Sequence, residues 1–217
     1  MTGAKTFWAV WGACCAVWVA ALVIAAGWDL EVSAALVDRE AALGRLVALA
    51  GEWPAWAATA FCIVILILGR KPESSYRPWR PLALAIVVLV VIHPLIITQG
   101  FKFLWGRVRF RDLGAGFAGF TPFYIPAGPG AGLSFPSGHV AMAFVLAPLV
   151  FFLTRLRWLA LCGVLLYGLV VAFGRIQAGA HYLTDCLFPI GLAFLVGAVL
   201  VRRLAISRPG SDVREGP

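Results

Sequence analysis

The sequence predicts an all-α membrane protein, a single bundle of six transmembrane helices over residues 1–206 with the N-terminus and C-terminus both cytoplasmic. Three observations lead there. The composition is 62% hydrophobic and 13% charged, with a mean hydropathy of +0.92, well outside the range of soluble domains. Apolar runs recur at about 7–26, 53–69, 82–101, 135–153, 158–173 and 182–201, each near the roughly 17–25 residues that cross a bilayer. The basic residues collect on one set of connecting segments.

The first run is expected as an uncleaved helix. Ala25, Ala26 and Gly27 resemble a signal-peptide cleavage site, but the apolar core exceeds the roughly 7–15 residues of such a peptide. Residues 30–50 then alternate Leu36, Leu43, Val47 and Ala50 with Glu31, Asp38, Arg39, Glu40 and Arg45. That is the pattern of an amphipathic interfacial helix, whose plainest role is packing against the bundle. In the third run, His93-Pro94 predicts a kink, because proline removes a helix hydrogen bond. An outer loop, 102–134, joins the third and fourth runs, and an outer turn near 174–181 joins the fifth and sixth. The tail 207–217, with Pro209, Gly210 and Gly216, is expected to be a disordered cytoplasmic end.

Charge sets the orientation. With the N-terminus inside, the inner segments hold Lys5, Arg70, Lys71, Arg77, Arg80, Arg155, Arg157, Arg202, Arg203, Arg208 and Arg214, eleven of the eighteen basic residues. They hold only three of the ten acids, Glu73, Asp212 and Glu215, so the whole net charge of +8 lies on that face. The positive-inside rule then places both termini in the cytoplasm. The basic balance reports orientation, and no nucleic-acid partner is expected. The five cysteines, Cys14, Cys15, Cys62, Cys162 and Cys186, lie in or beside apolar spans without metal-like spacing. They are expected as small buried hydrophobes, with no disulfide.

The unusual residues gather on the outer side in three clusters. "GFKFLWGRVRFRD" carries Lys102, Arg107, Arg109 and Arg111. A lone Lys or Arg at a helix end commonly snorkels to the interface, but four together on an outer segment oppose the charge bias. If the helix continues, Lys102 and Arg109 are two turns apart and share a face. In "FPSGH", Pro136 suits a first helical turn, Ser137 an N-cap, and Gly138 a close backbone approach to a ligand. Helix N-termini bind anions, although His139 by itself is equally an interfacial histidine. In "GRIQAGAHYLTDCL", Arg175 and His181 sit either side of a turn, and His181 and Asp185 at i and i+4 share a face. There a carboxylate can hold one imidazole nitrogen and free the other. An ionisable residue inside the membrane's edge is a functional candidate.

Three fixed cations, a hydroxyl and helix N–H groups describe a pocket for a tetrahedral oxyanion, with two histidines as nucleophile and proton donor. Phosphoryl transfer needs mainly that. No carboxylate cluster is present to hold a metal, and no cofactor is expected.

Lys102 with six residues before Arg109, then Pro136-Ser137-Gly138-His139, then Arg175 with five residues before His181 and three more before Asp185, resemble the three-part signature of the type 2 phosphatidic acid phosphatase superfamily. The resemblance spans roughly residues 80–200. Two positions depart from it: Phe110 stands where the family usually has Pro, and Gly174 where it usually has Ser. The resemblance implies metal-independent hydrolysis of a lipid phosphate ester or anhydride. His181 would be the nucleophile oriented by Asp185, and His139 the acid for the leaving oxygen and the activator of water. Lys102, Arg109, Ser137, the Gly138 N–H and Arg175 would hold the phosphoryl oxygens. The expected partners are the bilayer and a phosphorylated lipid such as undecaprenyl pyrophosphate, phosphatidic acid, phosphatidylglycerophosphate or lipid A.

The loop 113–133 combines six glycines with Phe117, Phe120, Phe123 and Tyr124, the composition of a mobile cover over a lipid tail or of a plain interfacial linker. Phosphotransfer to an acceptor hydroxyl is the nearest alternative. A rhomboid-type intramembrane serine protease also pairs a Ser-Gly on the fourth helix with a histidine on the sixth, which Ser137 and His181 imitate. A lipid-binding or transport protein without turnover is the third class. Phosphate release from lipid, tested beside cleavage of a membrane peptide, separates them.

Overall fold

A computed structural model describes residues 2–206. The predicted tail 207–217 lies outside them. The only regular secondary structure among the described residues is helical, with no strand. α1, Thr2–Ala26, is about 37 Å long at 1.5 Å per residue, enough for a hydrocarbon core of about 30 Å. It is followed by α2 (Asp29–Leu36), α3 (Ala42–Ala50) and α4 (Trp53–Leu68). α5 (Arg80–Val90), a π turn (Val91–Ile97) and α6 (Thr98–Trp105) form one continuous rod. After the long loop come α7 (Gly138–Ala143), α8 (Pro148–Phe152), α9 (Arg157–Gln177) and α10 (Leu183–Ile206).

Among the described residues, five helical stretches are long and apolar enough to cross a membrane: Lys5–Ala26, Ala42–Leu68, Arg77–Asp112, Arg157–Gln177 and Leu183–Leu204. The fourth expected run is a shorter apolar helix, Gly138–Phe152. It begins three residues late because Ser137 stands outside the helix as its N-cap. It is interrupted by a 3-10 turn, Phe144–Leu146, because Pro148 has no N–H for the Phe144 carbonyl. At His93-Pro94 the helix widens into a π turn, a form that takes up a proline inside an apolar rod.

Residues 30–50 are two helices, where the apolar alternation predicts one. Asp29 and Ser33 of α2 point inward. α3 lies against α9, with Gly44 and Val47 buried and Leu46 and Leu49 outward. Its outward side is thus mostly apolar, with Arg45 also exposed there, and α3 joins the second membrane-length stretch instead of lying apart from it.

Small residues set the helix contacts. A Cβ on Gly191 of α10 would come within 2.1 Å of the Trp18 ring, so its absence lets α1 lie on α10. Trp11 and Trp18 donate their indole N–H groups to the Leu195 and Leu187 carbonyls at 3.0 and 3.1 Å, tying the two helices in register. Gly168 of α9 accommodates Phe144, at the centre of a core with Val140, Val164 and Val171. The outward faces carry Val17, Ile63, Leu159 and Leu166, as a chain with an apolar solvent requires. All five cysteines are free, but Cys14 and Cys162 face outward, so only Cys62 and Cys186 are buried as expected.

Candidate active site

Four segments meet at one end of the bundle: the loop after α6, the residues before α7, the turn between α9 and α10, and the joint between α3 and α4. α9 ends through Gly179, whose positive φ (63°) turns the chain back. A side chain there would press on Arg111 at 3.0 Å. The turn leaves His181 only 2% exposed. Its Nδ1 lies 2.6 Å from the Ser134 carbonyl. A carbonyl can only accept, so Nδ1 carries the proton and Nε2 keeps a free lone pair. Burial holds the imidazole at about 4, below its ordinary 6.5, against the pull of Asp185. His181 is therefore neutral at neutral pH.

Asp185 is fully buried, its Oδ2 3.8 Å from His181 Nδ1. The same oxygen accepts from Ser134 Oγ at 2.5 Å and from the Tyr182 N–H at 2.9 Å. Its backbone carbonyl accepts from the Ser137 N–H at 2.9 Å. Asp185 thus holds both the residue that orients His181 and the start of the "PSGH" segment, a wider role than the i, i+4 spacing implies.

The opposite side of Asp185 holds residues outside the three motifs. Arg107, 0% exposed, donates to Asp185 Oδ1 at 2.6 Å, to Asp29 Oδ2 at 2.8 Å, to Thr184 Oγ1 at 3.0 Å and to the Thr121 carbonyl at 2.9 Å. Its guanidinium lies 4.0 Å from the Tyr182 ring centroid. Asp29 accepts further from the Thr184 N–H and hydroxyl at 2.9 and 2.6 Å. In the sequence Arg107 is one of four neighbouring cations and Asp29 an ordinary acid after the first apolar run. The only available signal was an acid and an extra base beside apolar spans, with nothing to pair them.

Lys102 donates to the Leu133 carbonyl at 3.3 Å and lies over Gly138, where a Cβ would sit 3.8 Å from its Cε. Lys102 and Arg109 do not share a helical face. α6 stops at Gly106, in the left-handed conformation (φ 68°), and a side chain there would collide with the Gly128 carbonyl at 1.6 Å. Arg109 follows in extended backbone. Nonetheless the charges of Lys102, Arg109 and Arg175 act on one another, and those of Lys102 and Arg175 act on both histidines. Arg109 Nε and Arg175 Nε are buried without a hydrogen-bond partner, and Arg175 as a whole is 8% exposed. Buried donors of this kind await an acceptor.

Ser137 is buried and caps α7, its Oγ accepting from the Val140 N–H at 3.5 Å. No hydrogen bond joins it to His181 among the described residues, so the serine–histidine pair of a protease is not formed. His139 places Nδ1 3.1 Å from Glu52 Oε1 and Nε2 3.3 Å from the Ala48 carbonyl. Both nitrogens face acceptors, an environment that an imidazolium fills with two donated bonds. Glu52, at the α3–α4 joint, carries no signal in the sequence. Among the described residues no group of three His, Cys, Asp or Glu is placed to hold a metal ion.

The family model of the PAP2 superfamily matches residues 82–208, well over half of the chain. The protein belongs to the PAP2 superfamily. Comparison with curated proteins and with solved structures gives no match. Membership implies phosphatase-type activity on a membrane-associated substrate. The two departures from the PAP2 motif have visible surroundings. A Cβ on Gly174 would stand 2.7 Å from Val47 Cγ2, so the glycine admits α3 directly over the third motif. Phe110 opens a 3-10 turn, a position that suits proline, and here packs instead against Phe117 and the edge of Tyr182.

Proposed function

We propose that this PAP2 protein is a metal-independent lipid phosphatase working through a phosphohistidine, with six membrane crossings, both termini cytoplasmic and the site open to the exterior or periplasm. One observation carries the reading. His181 is buried, neutral and tied at Nδ1 to a carbonyl, so Nε2 is a nucleophile on a ring that feels the charges of Lys102 and Arg175, and Arg175 Nε is buried with no hydrogen-bond partner among the described residues. The chemistry follows from that. Nε2 attacks phosphorus as the bond to the leaving oxygen breaks, and His139 delivers its proton to that oxygen. Lys102, Arg109, Arg175, the Ser137 hydroxyl and the Gly138 N–H neutralise the phosphoryl oxygens. Water, deprotonated by His139, then cleaves the N–P bond and frees phosphate. Asp185 and the Ser134 carbonyl position His181. A divalent ion would meet three side-chain cations here, so the positive charge comes from the chain itself.

The test is phosphate release by purified protein from phosphatidic acid, phosphatidylglycerophosphate and an isoprenyl diphosphate, with and without EDTA and with vanadate. The expected result is turnover of at least one lipid, indifferent to EDTA, inhibited by vanadate as a five-coordinate mimic, and abolished in His181→Ala. Loss on chelation with recovery on adding a divalent ion would overturn the metal-free mechanism.

A further inference from the structure

Asp29 opens α2, outside the residues 82–208 that the PAP2 model matches, yet it is 0% exposed and reaches the catalytic end of the bundle. Its Oδ1 accepts the Thr184 N–H at 2.9 Å, and its Oδ2 accepts the Thr184 hydroxyl at 2.6 Å. Thr184 lies in the first turn of α10, where N–H groups have no helical carbonyl of their own. Asp29 therefore caps the helix that carries Asp185, from 155 positions away. An asparagine or a serine supplies such a cap equally well, so the cap alone does not call for a buried charge.

Charge enters through Arg107, whose Nη2 bonds Asp29 and whose Nη1 bonds Asp185. The Arg107 backbone carbonyl also accepts the Ser134 N–H at 2.9 Å. Ser134 in turn gives its hydroxyl to Asp185 at 2.5 Å and presents its carbonyl to His181 Nδ1 at 2.6 Å. Arg107, Asp185 and Ser134 thus form a closed set of bonds behind the imidazole, and Asp29 adds a second acid to it. Two carboxylates share one guanidinium, so the group carries a net negative charge. With Asp29 uncharged, that net charge would be gone.

The reaction is sensitive to this sign. His181 Nε2 gives its electron pair to phosphorus while the leaving oxygen departs with the pair of the broken bond and takes a proton from His139. Nδ1 keeps its own proton, so the ring becomes positive. It returns to neutral when water takes the phosphoryl group and the N–P pair goes back to Nε2. The charges of Lys102 and Arg175 oppose a positive ring, and that of Asp185 favours it. An Asp185 matched by Arg107 alone would have little net charge left to offer on the Nδ1 side.

We infer that Asp29 is a positioning residue of the phosphatase, offsetting Arg107 so that Asp185 stabilises the positive ring of His181 during phosphoryl transfer. This rests on the phosphohistidine reading above. It makes the N-terminal segment a working part of a site whose motifs all lie in the region the family model matches.

The experiment uses the purified full chain and its Asp29→Asn and Asp29→Ser variants. The substrate is phosphatidic acid, phosphatidylglycerophosphate or the isoprenyl diphosphate, whichever the wild type hydrolyses fastest. Both variants keep a capping oxygen for Thr184 and lose the charge. Each should lower kcat about tenfold with KM little changed, the pattern of an interaction made in the transition state. Vanadate, which forms its five-coordinate state on His181, should inhibit them about tenfold less well. Inhibition by inorganic phosphate, bound without a bond to the ring, should stay as in the wild type. A wild-type kcat in both variants overturns the inference. So does a loss that weakens phosphate inhibition as much as vanadate inhibition, because a distorted pocket would do that without any effect on the ring. If the wild type frees phosphate from none of the lipids, the phosphatase reading itself fails. Turnover that survives loss of the charge removes only the role of Asp29.

Discussion

The Arg107 guanidinium bonds the Asp185 carboxylate at 2.6 Å, and neither side chain reaches the surface. Arg107 also holds Asp29 at 2.8 Å, so one cation neutralises two buried acids that the chain separates by more than 150 residues. Replacing Arg107 with Ala leaves both acids uncompensated. Removal of one partner from a buried ion pair typically costs about 3–5 kcal/mol. Thermal unfolding in detergent should show a large drop in midpoint for Arg107→Ala and a smaller one for Arg107→Lys. A midpoint equal to wild type would mean the network carries no stability.

Acid should weaken the fold through His181. Its folded value, about 4, lies below its ordinary 6.5, so as pH falls the unfolded chain takes up the proton first. The stability from the neutral, buried ring is whole above pH 6.5. It is lost as pH falls from 6.5 toward 4, by up to about 1.4 kcal/mol per pH unit. His181→Asn keeps an N–H toward the Ser134 carbonyl and removes the titration. Unfolding midpoints between pH 7.5 and 4.5 should therefore fall less steeply in the variant, which should also have no turnover. Parallel curves would assign the acid sensitivity to other groups.

His139 and Glu52 should act together on the leaving group. His139→Ala should cost about 100-fold or more on an alkyl phosphate, the usual scale of general acid catalysis, and far less on an activated aryl phosphate. Glu52→Gln should show the same selectivity at smaller size, because it removes the carboxylate 3.1 Å from His139 Nδ1. Equal losses on both substrates would remove the acid role.

The membrane side is open to chemical labelling. In a background lacking the five native cysteines, Ala118→Cys should react with a membrane-impermeant maleimide in intact cells, or in spheroplasts where an outer membrane blocks access. Ser75→Cys should react only after lysis. Both positions are exposed. The reverse pattern would put the site in the cytoplasm.

The PAP2 departure at Gly174 is also testable. Gly174→Ser should lower the unfolding midpoint because its Cβ meets Val47, and Val47→Ala in the same chain should recover part of the loss. No recovery would mean that the contact does not set the α3–α9 distance.

The sequence by itself determined the apolar solvent, the helical class and the three motif clusters, because hydropathy and short spacings are local properties of the chain. The resemblance of those clusters to the PAP2 signature is what proposes Lys102, Arg109, Ser137, Gly138 and Arg175 as phosphate-holding groups and His139, His181 and Asp185 as catalytic ones. Tertiary structure decided which groups act on them. Ser134 presents its carbonyl to His181 across 47 positions. Arg107 joins Asp29 to Asp185, each 78 positions away. Glu52 reaches His139 from a joint with no motif of its own. Even the helix expected to align Lys102 with Arg109 ends first, at Gly106, where the loop near Gly128 packs too closely for a side chain. These relations depend on how rods cross and where loops return, and in an apolar solvent that packing is set by volume and buried hydrogen bonds between distant segments, which leave no period or spacing in the chain to read.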